Sequence, residues 1–391
     1  MKIFNVNFDT VNLTPKHLIL FAETKAVTNN ILKEYLAVSL IEDDNALSRV
    51  CEKIEKTEKT EKFEKIGKIG NSLKSAALED LIFLWESLEF FEHNPVENYL
   101  SSEKHNMPFY EYQKSLESIV SSNNPEEMLN ALISHYSEFG AGKTAKYIAF
   151  KWKNNKLNGV ETPDDITLDR LFCLDYQKKI LIENTSLFLR GLPANNALLY
   201  GDSGSGKSAI VKALLNEYYK DWLRLAEISK ADLDGLPQLI DCVKNKKLKY
   251  IIFMDDLSFE ENDTGYKNLK TALDGQIEKQ PQNILLYATS NRFHLVNETW
   301  NDRQGEDIRV RDTANEKLSL SERFGIRVSF ASSKISEEYF EIIAGILAGE
   351  NIPFTEEIKK KAVIWEHSHN KRSGRTAEQF ARTVIADRRG L

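Results

Sequence analysis

Gly201-Asp202-Ser203-Gly204-Ser205-Gly206-Lys207-Ser208 satisfies the pattern G-x-x-x-x-G-K-[ST]. That pattern joins a strand, a curled loop and a helix around a phosphate. The glycines let the backbone bend until successive N–H groups face inward at phosphate oxygens. Lys207 brings a compact positive charge to the β- and γ-phosphates, and the Ser208 hydroxyl is placed to hold Mg²⁺. The flanks agree with this reading. Asn196-Ala197-Leu198-Leu199-Tyr200 reads as a short buried strand, and Ile210, Val211, Leu214, Leu215 and Tyr218 give one apolar helical face after the loop. Gly201, Asp202, Ser203, Gly204, Ser205, Gly206, Lys207, Ser208 and Ala209 are therefore expected to cradle a nucleotide at a helix N-terminus.

A second glycine-lysine run tests that reading. Gly140-Ala141-Gly142-Lys143-Thr144 has Ser137 where the first glycine belongs, and a polar helical stretch, Leu132 to Glu138, precedes it. With no strand and no first glycine it reads as a flexible connector, not a phosphate site.

At 391 residues, with 41% hydrophobic and 10% aromatic side chains, the chain is long enough for two or three domains and a sizeable core. A net charge of -7 gives no overall pull toward nucleic acid or an anionic membrane. Cys51, Cys173 and Cys242 are far apart and form no C-x-x-C pair, which argues against a disulfide framework or zinc site and for a reducing compartment. Met1-Lys2-Ile3-Phe4-Asn5 lacks the apolar run of a secretory signal, and no stretch reaches membrane-spanning length. A cytoplasmic protein with no membrane partner is expected. His367-Ser368-His369, the one close histidine pair, reads as a solvated helix end.

Residues 1–150 read as an all-helical N-terminal domain without a chemical motif. Asn124 followed by Pro125, Glu126 and Glu127 is a helix start. Leu78, Leu81, Ile82, Trp85, Leu88 and Phe91 form a helical stripe read as packing against neighbours. Residues 52–65 hold a low-complexity Glu/Lys repeat, a solvated helix or linker to which no binding role is assigned. Thr162-Pro163-Asp164-Asp165 is a turn-rich boundary, followed by a helix from Leu168 to Leu189. The apolar runs Leu223–Ile228, Tyr250–Met254, Ile284–Ala288 and Ile326–Phe330 then alternate with helical stretches, the texture of a parallel sheet covered on both faces. This α/β domain is expected over 160–332, and three helical segments over 333–391 follow it.

Further chemistry sits at the strand ends. Tyr250-Ile251-Ile252-Phe253-Met254 runs into Asp255 and Asp256. Asp255 is placed as the carboxylate beside Mg²⁺, and Asp256 as the group that orients or deprotonates the attacking water. The next strand ends in Asn291, an uncharged side chain to fix that water. Arg323 precedes the last strand, and Arg375 opens the final helix, within reach of a γ-phosphate from a mobile lid.

Loop, acidic strand end, asparagine and the two arginines, in this order, resemble the AAA+ ATPases. More narrowly, Asn195-Asn196-Ala197-Leu198-Leu199-Tyr200-Gly201-Asp202, Asp255-Asp256-Leu257-Ser258-Phe259-Glu260, Tyr287-Ala288-Thr289-Ser290-Asn291-Arg292 and Leu318-Ser319-Leu320-Ser321-Glu322-Arg323-Phe324-Gly325 resemble a bacterial family known as domain of unknown function 815, over roughly Gly142 to Arg382. The resemblance implies a five-stranded parallel sheet in the order 5-1-4-3-2, a C-terminal helical lid and an all-α N-terminal region. It also implies Arg323 acting on a neighbouring subunit, hence a homo-oligomer. Two departures stand out. Asp256 occupies a place where most AAA+ proteins carry the longer Glu, which leaves Glu260 and Glu261 as alternative bases, and Phe293 replaces a second arginine after the asparagine.

The functional expectation is an ATPase that binds and hydrolyses Mg-ATP at a subunit interface to remodel a client. The alternative is an ATP-binding switch or scaffold with negligible turnover, favoured by the short Asp256. Lys371, Arg372, Arg375, Arg382, Arg388 and Arg389 make the C-terminus basic, which leaves nucleic acid open as a client. No aromatic-interleaved platform accompanies them, so a client protein is preferred.

Overall fold

Apolar runs become strands and amphipathic runs cover them. Strands β1 (Ala149–Lys153), β2 (Lys156–Gly159), β3 (Ala197–Gly201), β4 (Leu223–Ile228), β5 (Lys249–Met254), β6 (Ile284–Ser290) and β7 (Ile326–Phe330) form one sheet in the order β2-β1-β4-β5-β6-β3-β7. This is a computed structural model, and it describes residues 31–42, 44–52, 70–92, 110–244, 246–259, 265–274, 281–291, 320–331, 336–369 and 372–389. The chain divides into two compact units: residues 1–148 with 159–162 and 246–248, and residues 149–158, 163–245 and 249–391.

In the second unit, β1–β4, β4–β5, β5–β6, β6–β3 and β3–β7 all pair in parallel. All seven residues of β6 are buried, as a parallel strand covered by helices on both faces requires. The expected five-stranded sheet is corrected to seven strands. The strands from Ala197 onward run β7-β3-β6-β5-β4, and β1 and β2 extend the sheet beyond β4. This extension begins at Ala149, ahead of the domain start expected at residue 160.

A short turn makes the extra pair. Asn154 and Asn155, at φ 54° and 55°, form a two-residue loop whose left-handed backbone matches the twist of a hairpin. Phe150, Trp152 and Leu157 are buried while Lys151, Lys153 and Lys156 are exposed, and lysines on an edge discourage pairing with a foreign strand. Trp152 lies over Gly235, where a Cβ would stand 2.3 Å from its Nε1.

The helix expected from Leu168 is also corrected. Leu168–Arg170 is a single tight turn, Cys173 takes φ 58°, and regular helix begins only at Asp175, running to Leu189. The helix after the phosphate loop, Lys207–Tyr218, buries Ile210, Val211, Ala213, Leu214 and Leu215. Three closing helices, Ser336–Ala348, Glu356–His369 and Gly374–Arg389, share a core built on Tyr339, Ile343, Leu347, Phe380 and Ala381. His367 and His369 are exposed at the end of the second of these, and His369 stacks on Trp365 at 4.4 Å.

Among the described residues of 1–148, the regular structure is helical. Asn124 caps Pro125–Phe139, its Oδ1 accepting from the Glu127 N–H at 2.9 Å. Among the described side chains of Asn71–Glu92, Leu81 is buried and Leu78 and Trp85 pack against the same core, as expected of the stripe, with Ala77 and Leu84 buried beside them, whereas Ile82 is 41% exposed. Leu88 and Phe91 lie where no side chain is described. Residues 53–65 of the Glu/Lys repeat lie outside the described residues. The Gly140–Thr144 run is not a free connector: Gly140 caps the preceding helix, and the Gly142 N–H is taken by Ile41 O at 2.9 Å. Among the described residues no helix is long and apolar enough to cross a membrane.

Candidate nucleotide-binding site

Strand β3 delivers the chain into the loop at Gly201, whose φ of 138° suits no other residue well. A Cβ there would stand 1.9 Å from Phe330 O at the end of β7. The same carbonyl accepts the Asp202 N–H at 3.0 Å, so β7 clamps the entrance of the loop. Gly204 (φ 80°) is shaped by the lid: a Cβ would meet Arg375 Cβ and Ser373 Oγ, each at 3.1 Å. Gly206 (φ 94°) leads into the helix and faces Leu174. Ser205 Oγ bonds within the loop to Asp202 O at 2.7 Å. Ser203 lies half-buried between them, and Ala209 sits in the first turn of the helix.

Lys207 is 7% exposed, with Nζ 2.8 Å from Gly201 O, 2.6 Å from Asp202 O and 3.1 Å from Asn291 Oδ1. Ser208 Oγ donates to Asp255 Oδ1 at 2.6 Å. Asn291 Nδ2 donates to Asp256 Oδ1 at 2.6 Å. The structure thus brings Lys207, Ser208, Asp255, Asp256 and Asn291 together from three parallel elements, because the ends of β3, β5 and β6 lie side by side.

The two arginines differ. Arg375 belongs to the lid, and its backbone N–H donates to Gly204 O at 3.2 Å while its side chain is exposed. Arg323 is not brought to the loop. It precedes β7, and Ile326 pairs with Ala197 whereas Phe330 pairs with Gly201. Arg323 therefore sits at the other end of β3, more than about 13 Å from the loop at some 3.3 Å per residue. Glu260, Glu261, Phe293 and Lys371 lie outside the described residues.

Two contributors went unseen in the sequence reading. Thr289 Oγ1 touches both acids, 2.5 Å from Asp255 Oδ1 and 2.8 Å from the Asp256 N. No signal in the sequence marks it, because the contact follows from the register that sets Met254 opposite Ala288, and hence Asp255 beside Thr289. Ser373 and Thr376 bond reciprocally and cap the last lid helix against the loop. The sequence there reads S-x-x-T, a capping-box variant.

The residues fit Mg-nucleotide. A left-handed, glycine-lined loop at a helix N-terminus offers N–H groups to phosphate, and its close approaches leave no room for a Cβ at Gly201. Ser208 and Asp255 offer hard oxygen ligands, which suit Mg²⁺ with its preference for one or two protein oxygens beside phosphates. Parallel sheet, loop, acidic strand end and lid together define a P-loop protein of the AAA+ ATPase class. The chain belongs to the family described as Protein of unknown function (DUF815), which it matches over residues 145–388. It is 25% identical over 210 residues to the Probable mitochondrial chaperone BCS1-A of Dictyostelium discoideum, covering 47% of this chain and 48% of that one. The chain thus spans about half the length of that curated relative. Among solved structures, the RuvB Holliday junction branch migration motor of Thermotoga maritima is 16% identical, with TM-score 0.31 over 58% of this chain and 74% of its own. The Aeropyrum pernix ORC1 protein in complex with DNA is also 16% identical, with TM-score 0.39 over 56% of this chain and 61% of its own.

Proposed function

We propose that this chain binds and hydrolyses Mg-ATP at an interface between its own copies and couples turnover to remodelling of a client protein. The observation that carries the proposal is the hydrogen-bonded array from Lys207 through Asn291 to Asp256, with Ser208 bonded to Asp255 beside it. When bound, Mg-ATP supplies the labile phosphoanhydride. Lys207 and the loop N–H groups then balance phosphate charge, and Ser208 and Asp255 hold the metal. Asp256 accepts the proton of the attacking water, and Asn291, already bonded to it, orients that water. Arg375 approaches from the lid, and Arg323, at the far end of β3, serves a neighbouring subunit. The relative named a chaperone agrees with a protein client.

A second reading, a nucleotide-dependent switch with negligible turnover, draws on Asp256 itself. Its carboxylate is already engaged by Asn291, and its backbone stands at φ 53°. Phosphate release from the purified chain, followed over hours with and without Mg²⁺, separates the two. The expected result is Mg-dependent release that Lys207→Ala abolishes together with ATP binding. Tight ATP binding without release by the parent favours the switch. Parent-like ATP affinity in Lys207→Ala, measured by calorimetry, overturns the site.

A further inference from the structure

We infer that Thr289 is the positioning residue that sets both acids of the site, an inference that rests on the nucleotide reading above. Thr289 is 1% exposed in β6. Its single hydroxyl is oriented by its partners. The carboxylate of Asp255 can only accept, so Thr289 donates its proton there, at 2.5 Å. Its lone pair then receives the Asp256 N–H at 2.8 Å.

Each bond fixes a different acid. Asp255 Oδ1 takes Thr289 on one side and Ser208 at 2.6 Å on the other, so the carboxylate is pinned against the metal-binding hydroxyl. Asp256 sits at φ 53°, in the left-handed region that Asp tolerates better than most residues with a Cβ. The bond from its N–H to Thr289 holds the backbone there. Held so, Asp256 presents Oδ1 to Asn291. One hydroxyl therefore couples the metal-side acid to the water-side acid. Other bonds hold the ends of β5 and β6 together independently: the strands pair from Tyr250 to Met254, the Leu257 N–H donates to Thr289 O at 2.7 Å, and the Ser290 hydroxyl donates to Leu257 O at 2.7 Å. Loss of the hydroxyl therefore loosens the acids without parting the strands.

Thr289→Val, nearly the same shape without the hydroxyl, tests this by calorimetry with ATP in Mg²⁺ and in EDTA. The expected result is at least about tenfold weaker Mg-ATP binding with metal-free ATP binding unchanged within about twofold, on the scale of one charge-assisted hydrogen bond. Thr289→Ser, which keeps the hydroxyl, restores the parent values. Adding Thr289→Val to Asp255→Ala costs less than about twofold further, since the bond is then already gone. Equal losses with and without Mg²⁺, or additive losses in the double variant, overturn the inference. If the parent itself shows no Mg-dependent binding, the nucleotide reading falls. A crystal structure of free Thr289→Val then decides the positioning role. Asp255 swung off Ser208 supports it, and Asp255 still within about 3 Å of Ser208 with Asp256 still at positive φ overturns it.

Discussion

Asp255 and Asp256 are adjacent in sequence yet their carboxylates meet different partners, Ser208 and Thr289 for one and Asn291 for the other. Asp255→Ala is therefore expected to weaken Mg-ATP binding, since it removes the carboxylate proposed to hold the metal. Asp256→Asn is expected to keep binding within about twofold and to slow phosphate release by roughly 10²–10⁴, the usual contribution of a general base. Calorimetry and a phosphate assay on the same preparations check the split. Glycines can be separated in the same way. Gly191, at φ 73° with open space around it, should cost about 1 kcal/mol on change to Ala, from backbone strain alone. Gly201→Ala should cost at least about twice that, because its Cβ would also stand 1.9 Å from Phe330 O. Urea unfolding of the two variants decides, and equal midpoints would remove the clamp from β7.

Among the elements, the helix Pro125–Phe139 carries a pH dependence. His135 is fully buried on it, 3.0 Å from Ser115 Oγ and packed on Phe139, and burial pushes its imidazole down from 6.5 to about 3. The unfolded chain then binds a proton that the folded one refuses between those two values. Stability is complete above about pH 6.5 and falls as the pH drops below it, by at most about 1.4 kcal/mol per pH unit. Amide protection factors in this helix are expected to be about fivefold lower at pH 5.5 than at 6.5. His135→Asn should flatten the profile, and a profile unchanged by that substitution would assign the effect to other groups.

At the scale of the whole molecule, the role proposed for Arg323 requires self-association. Strand β3 separates it from its own loop, since β3 and β7 run parallel with Ile326 beside Ala197. An arginine reaching the phosphate from a neighbour is worth on the order of 10³–10⁵ in rate where it has been measured in GTPases. Lys207→Ala and Arg323→Ala should each be inactive alone. Their mixture should recover part of the activity, because some interfaces pair an intact loop with an intact arginine. A mixture as inactive as its parts, in a preparation shown by light scattering to associate, would place Arg323 outside the reaction.

The glycine loop, the apolar strand before it and the acids after Met254 were legible because each is local. A loop that curls needs glycine, and a buried parallel strand needs an unbroken apolar run. The hairpin at 149–159 was equally local but weak, since Asn-Asn is a less distinctive turn signal than Asn-Gly. The break before Asp175 depended on Cys173 at φ 58°, which no composition announces. Other features were decided only by tertiary structure. Thr289 reaches Asp255 because β5 and β6 pair in one register, and a shift by one residue would turn its hydroxyl to the opposite face. Gly204 meets Ser373 and Arg375 across 169 and 171 positions of chain (373 − 204 and 375 − 204). The sequence alone determined which residues are suited to a phosphate, since that chemistry is written in single side chains and their spacing. How they are aimed was settled only where strands and lid pack, because orientation is a property of neighbours that the chain brings together.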